Sequence, residues 1–308
     1  MSDSVNAPGT TPATPATPAA KDARAVSTTG RRNPVRRLVA RVGIAGTIAA
    51  FIIALLAAIA ILAPWIAPYD PLQVDLAHTY QPSSAEHLLG TDNSGRDLLS
   101  RLIWGARTSL LGPFIVVTVT AALGTALALT AAWFGGRVDD LISRLLDLLF
   151  AFPSLLLAII VIALYDRGLL QASLALAVGF TPYTARVLRS VALRERMMPY
   201  IASGEIQGFS GFVICVRQIL PNITPQILTG ATINFGSAMI ELAAISFLGL
   251  GVQPPAADWG LMVSSGQASL VKGFPQQSLY AGLLIVITVA AFSVLGERLG
   301  GRKAGGRA

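Results

Sequence analysis

Five residues within one apolar stretch carry most of the chemistry this chain could perform. Gln226, Gly230, Asn234, Ser237 and Glu241 are spaced by four, four, three and four positions, which places them on one face of a helix. Glu241 is the only formal charge in that stretch. A carboxylate there could pair with a cation or amino group, pair with an arginine of another chain, or carry a proton. Polar groups are costly in hydrocarbon unless they face protein or water. The stripe therefore lines a solute path or packs on another helix, where small residues also allow close approach. The sequence leaves both readings open.

Other chemistry finds no residues to perform it. A phosphate-cradling loop needs Gly-Lys-Ser/Thr, but Lys21, Lys272 and Lys303 are followed by Asp, Gly and Ala. Neither HExxH nor GxSxG occurs, and His78 and His87 fall outside the apolar runs, so a serine hydrolase has no base. The two histidines come with no third ligand at metal spacing. Cys215 is the single cysteine, which excludes an intrachain disulfide. No catalytic, cofactor or metal site is expected.

The elements that must position the stripe follow from composition. Of 308 residues, 53% are hydrophobic and 13% charged, about half the charge of a soluble domain. Six runs are long enough to cross roughly 30 Å of hydrocarbon as helices: Val42–Ile66, Thr108–Phe134, Leu148–Tyr165, Gly168–Ala185, Ile223–Leu248 and Gln276–Gly296. The third and fourth are short, joined at Asp166-Arg167, and kinked by Pro153 and Pro182. The fold class expected is an all-α integral membrane protein with six transmembrane helices. The first 41 residues, rich in Ala, Thr and Pro and ending in Arg31, Arg32, Arg36, Arg37 and Arg41, read as a disordered basic cytoplasmic tail. Residues 298–308 read as a second tail.

With the N-terminus inside, eighteen of the 23 Lys and Arg fall on inside segments and five outside: Arg96, Arg101, Arg107, Arg167 and Lys272. Both termini are therefore expected in the cytoplasm. The net charge of +7 reflects this topology rather than nucleic acid. Arg186, Arg189, Arg194 and Arg196 read as positive-inside anchors, and Asp139, Asp140, Arg144 and Asp147 as an exposed loop and helix start. The external segment 67–107 closes in DLLSRLIWGAR, whose pattern suits an interfacial helix or an amphipathic lead-in to the second span.

Between the fourth and fifth runs lies Tyr200–Asn222, YIASGEIQGFSGFVICVRQILPN. It reads as a short helix with a glycine in its middle, ending in Leu220-Pro221-Asn222. Phe209, Phe212, Val213, Ile214 and Val216 are apolar for a loop outside the bilayer. That face buries against a partner or against the chain's own helices. A protein driven from outside the bilayer needs such an element for its motor to grip.

Three stretches resemble permeases of the dipeptide/oligopeptide/nickel ABC importer family. Gly90 to Gly112, GTDNSGRDLLSRLIWGARTSLLG, looks like the family's external stretch before the second span, with Gly90-Thr91-Asp92, Gly95-Arg96-Asp97, Ser100-Arg101, Gly105 and Arg107 matching. Ser246 to Gly260, SFLGLGVQPPAADWG, resembles the segment after the fifth span, and APWIAPYDP the end of the first. A single span before the external stretch points to the C-type member of the permease pair. Tyr200–Asn222 then resembles the family's coupling loop. Counted back from Leu220, Pro221 and Asn222, its glycine falls on Gly208 and its Glu-Ala-Ala on Ala202, Ser203 and Gly204. The acidic residue is absent; Glu205 lies one turn away. Glu241 stands one position from the family's glutamate.

The resemblance implies a permease core at 108–297 that includes a coupling segment at 196–222. It implies a second homologous permease, two ABC ATPase subunits that hold the ATP and Mg, and an extracytoplasmic solute-binding protein. It places the chain in a bacterial-type cytoplasmic (inner) membrane, moving dipeptides or short oligopeptides by alternating access. The alternative, a proton-coupled transporter with Glu241 as carrier, leaves the coupling-like loop without a role.

Overall fold

The computed structural model describes residues 34–300, with side chains from residue 43 onward. The expected tails at 1–33 and 301–308 lie outside the described residues. Helix α1 (Pro34–Ile66) begins before residue 41, where the tail was expected to end, and breaks from helical geometry at Gly43.

The remaining elements are α2 (Leu98–Phe134), α3 (Gly136–Phe150), α4 (Ser154–Leu164), α5 (Leu169–Arg196), α6 (Pro199–Ile206), α7 (Gly211–Ile214), α8 (Leu220–Phe247), α9 (Trp259–Ser265), α10 (Gln267–Val271) and α11 (Gln276–Gly300). Among the described residues the only strand-like pairing is the bridge between Thr91 and Asp97. Four stretches are long and apolar enough to cross a membrane: Gly43–Ile66, Leu98–Phe134, Gly211–Phe247 and Gln276–Gly300. A fifth is counted if α3 and α4, bent by 82° across their break, form one span. Pro153 stands at that break as the N-cap of α4, as its fixed φ and missing N–H require. Pro182, in contrast, lies inside α5, which runs unbroken.

The expected fourth run, 168–185, is the first part of α5. It is not among the spanning stretches, because Gln171, Ser173, Thr181 and Thr184 dilute its apolar content. Those residues do not need to tolerate lipid. Ala172, Leu176, Ala177, Ala185 and Ala192 are wholly buried, and α5 lies against α2, α4 and α8. Alanine at so many contact positions lets backbones approach closely. Thr120 of α2 donates to the Ala177 carbonyl at 3.1 Å across this seam.

At one end of the bundle, the segments 67–97 and 248–275 interlock. Asp97 caps α2, its Oδ2 accepting from the Ser100 N–H and hydroxyl, each at 2.7 Å. Asp258 caps α9 by accepting from the Leu261 N–H at 3.0 Å, and also accepts from Ser109 Oγ of α2 at 2.8 Å. The Trp259 indole, 1% exposed, donates to the Leu102 carbonyl at 2.9 Å. Arg101, 2% exposed, donates to the Pro71 carbonyl at 2.9 Å and stands 3.6 Å from Asp92. Of the two readings of DLLSRLIWGAR, the structure has the lead-in to the second span: these residues are the first turns of α2. The burial of Leu98, Arg101, Leu102 and Ala106 against these loops explains why the helix projects upward as one rod.

At the opposite end, where a loop and helix start were expected, Asp139 lies in the first turn of α3 and Asp147 further along the same helix. They pair with Arg189 and Arg186 of α5, and Arg196 donates to the Ala132 carbonyl at 2.6 Å over the Trp133 ring. Three of the four expected anchor arginines thus tie α5 to α3 and α2. Replacing Trp259 with Ala should remove a buried ring and its hydrogen bond, at a cost of about 3–5 kcal/mol. Thermal unfolding of the purified protein in detergent should show a clearly lowered midpoint; an unchanged one would mean the interlock contributes little.

Candidate coupling segment and polar stripe

The segment 196–222 is not one helix with a glycine at its centre. It is α6, a turn at Gly208, then α7 running through a π-helical turn, Cys215–Ile219, into α8. Gly208 has φ +80, a conformation that residues with a Cβ resist. The turn closes α6 by two bonds, Phe209 N–H to the Gly204 carbonyl at 3.1 Å and Gly208 N–H to the Glu205 carbonyl at 3.0 Å. This pairing satisfies carbonyls that a helix end otherwise leaves open. Leu220, Pro221 and Asn222 do not end the segment. They form the first turn of α8, where proline's missing N–H does least harm.

Each expected coupling residue has a definite place. Ala202, Ser203, Glu205 and Gly208 are exposed, and Gly204 is buried. A Cβ on Gly204 would meet the Gln218 amide at 2.9 Å, so the small residue lets α6 lie on the π turn. Ile201, Ile214, Ile219 and Ile223 form a buried cluster with Ala132 and Ala192, which fixes the segment to α2 and α5. On the outer side Ile206 is 87% and Phe212 78% exposed, with Phe209 beside them. Asn222 Nδ2 donates to the Tyr200 hydroxyl at 2.8 Å, and that hydroxyl donates to Glu195. Burial, then the Glu195 contact, push the phenol up to about 12, so it remains a donor. The π turn leaves Gln218 Oε1 buried without a partner. Neither feature has a signal in the sequence, since nothing in CVRQI marks an i→i+5 turn.

The stripe on α8 is divided by its neighbours. Asn234 is buried and donates to Thr184 Oγ1 of α5 at 3.0 Å. Glu241 is half-buried and accepts from Ser154 Oγ, at 2.8 Å and 3.0 Å to its two oxygens. Ser154 opens α4 at the 82° bend, so the carboxylate faces a helix N-terminus, where a negative charge is favoured. Ser237 is exposed, Gln226 half-buried, and no atom lies within 4 Å of where a Gly230 Cβ would stand. Packing therefore accounts for Asn234 and Glu241, while Gly230 and Ser237 lie on an open face. The sequence identified the stripe but not its partners, because Thr184 and Ser154 lie 50 and 87 residues away.

Comparison with known proteins fits this architecture. Residues 122–302 match the family described as binding-protein-dependent transport system inner membrane component, and residues 45–82 match the N-terminal transmembrane domain of oligopeptide transport permease C. The chain belongs to this family of transport permeases and is a multi-pass membrane protein of the C-type subgroup. It is 38% identical over 241 residues to the dipeptide transport system permease protein DppC of Alkalihalophilus pseudofirmus, covering 78% of this chain and 79% of that one. It is 39% identical over 252 residues to the glutathione transport system permease protein GsiD of Escherichia coli O157:H7, covering 82% and 83%. The inward-facing methionine ABC transporter MetNI has the same fold, with a TM-score of 0.51 at 20% identity over 64% of this chain and 93% of that one.

Gly208→Val should strain the turn by about 1–2 kcal/mol and leave the bundle folded. Amide exchange in residues 199–209 should then quicken roughly 5- to 30-fold. Unchanged exchange there would show that the turn tolerates a Cβ.

Proposed function

We propose that this chain is the C-type permease subunit of an ATP-driven importer of dipeptides or short oligopeptides, with segment 196–222 as its coupling element. The observation that carries the reading is the apolar surface of Ile206, Phe209 and Phe212, presented at a bundle end on a segment whose inner face is locked to α2 and α5. An exposed apolar face on a braced element is built to be covered. An ATPase that covers it can move α2, α5 and α8 as one body, because the segment continues into α8 without a loop. The names of the relatives, dipeptide and glutathione permeases, support the substrate class.

In this reading the chain crosses the membrane six times, through α1, α2, the bent α3–α4 pair, α5, α8 and α11, with both termini in the cytoplasm. The enclosure of α5 by its neighbours supports the sixth crossing. A second homologous permease completes the path, two ABC ATPase subunits supply ATP and Mg, and an extracytoplasmic binding protein delivers solute to the end formed by 67–97 and 248–275. The open face around Gln226, Gly230 and Ser237 borders the path, with Glu241 at its edge. The relatives reported above are permease subunits, which does not favour a proton-coupled carrier.

The test is a pull-down of the C-terminally tagged chain from gently solubilised membranes. A second permease and P-loop ATPases should accompany it. The ATPases should be lost when Ile206 and Phe212 are changed to Asp, with the partner permease retained. A chain that purifies alone under conditions preserving other ABC complexes would defeat the reading. Separately, Glu241→Gln, which keeps an acceptor for Ser154 but removes the charge, should lower peptide uptake roughly tenfold, the added worth of a charged over a neutral hydrogen bond, with assembly intact. Normal uptake would remove Glu241 from the path.

A further inference from the structure

A continuous groove runs along the outer side of α1 and α2, and nothing in the proposed transport cycle uses it. Its lower part is a cavity of about 590 Å³ walled by Ile53, Ala57, Leu110 and Phe114, with Phe235 and Phe292 as its floor. Its upper part, about 760 Å³, lies at the end of α1 among Pro68, Tyr69, Asp70, Trp104 and Ala257. Arg107 and Leu111 border both parts, so the two connect.

The chemistry changes sharply along this groove. The lower part lies within the Gly43–Ile66 spanning stretch and, apart from Arg107 at its rim, is apolar. From Ile53 to Ile61 it follows roughly 12 Å of helix, close to the roughly 15 Å depth of one leaflet. The upper part holds two opposite charges, Arg107 and Asp70, the only formally charged side chains lining either cavity. Neither belongs to an ion pair among the described residues. Arg107 lies against the Trp104 ring at 5.2 Å, which orients the guanidinium at the rim. One Asp70 oxygen accepts the Leu72 N–H at 2.8 Å, and its other oxygen has no recorded partner.

We infer that this groove is a binding site for one zwitterionic phospholipid bearing a primary amine. Its phosphate sits on Arg107, its ammonium on Asp70, and one acyl chain fills the apolar cavity. Guanidinium suits phosphate by presenting several donors in one plane. A carboxylate lining the same cavity disfavours purely anionic lipids and suits an ammonium that can donate hydrogen bonds, which a quaternary amine cannot. The bilayer supplies the ligand at this depth, so no other partner has to be invoked.

The test uses the full chain with its co-purifying subunits, exchanged into nanodiscs of phosphatidylethanolamine, phosphatidylcholine and phosphatidylglycerol in equal parts. Lipids retained after detergent extraction are quantified by mass spectrometry. Phosphatidylethanolamine should be enriched about two- to fivefold over the bulk, the scale of one exposed ion pair. Arg107→Gln should abolish the enrichment. Asp70→Asn should level phosphatidylethanolamine with phosphatidylcholine. Retained lipid that mirrors the bulk, or enrichment that survives both substitutions, overturns the site. A photo-cross-linker at Leu111 in the otherwise unchanged chain gives an independent reading. An adduct with phospholipid supports the site, and an adduct with polypeptide overturns it by showing a subunit contact there. Both substituted residues are exposed on the described chain, and loss of fold is checked by the unfolding midpoint. Neither outcome bears on whether ATPases dock at Ile206 and Phe212.

Discussion

The buried carboxylate of Asp258 is the contact on which the arrangement of this bundle most depends. It closes the first turn of α9 and at the same time accepts a hydrogen bond from Ser109 of α2. Ser109 in turn accepts the Trp259 N–H at 2.9 Å. Two stretches separated by about 150 residues are thereby joined through buried polar groups. A buried carboxylate is tolerated only when its hydrogen bonds are met, and here capping and inter-helix contact meet them together. With this end closed, α2 and α8 are held at a fixed separation, and α5 can lie between them on alanines.

Much of the helix plan was legible in the sequence, because apolar runs of about 20 residues have few alternatives. The first, fifth and sixth runs coincide closely with α1, α8 and α11. What stayed hidden shares a cause: one-dimensional hydropathy does not record what a residue packs against. DLLSRLIWGAR carries an interfacial pattern, yet its buried side faces a protein loop rather than lipid. Asp139 and Asp147 read as an exposed loop and helix start, and nothing in the sequence places Arg189 and Arg186 of α5 beside them. The fourth run is moderately polar because its neighbours shield it.

The site was legible in its composition and not in its geometry. The apolar character of Phe209 and Phe212 marked the coupling segment, and the spacing of Gln226 to Glu241 marked the stripe. Gly208 was recognisable as a special position but was assigned to a helix interior, whereas its positive φ makes it the exit of α6. The π turn that joins α7 to α8 has no sequence code that differs from an α-helix. Across it, Ile214 of α7 and Ile223 of α8 reach the same buried cluster.

The sharp bend before Ser154 brings the beginning of α4 against Glu241 of α8 and Gly179 of α5. The first backbone N–H groups of any helix have no acceptor within it, and hydrocarbon offers none. The Glu241 carboxylate, which accepts from Ser154 Oγ, sets an acceptor of the chain's own beside them. Viewed this way, the bend is an electrostatic joint: it sets the positive end of one helix against the lone carboxylate of another.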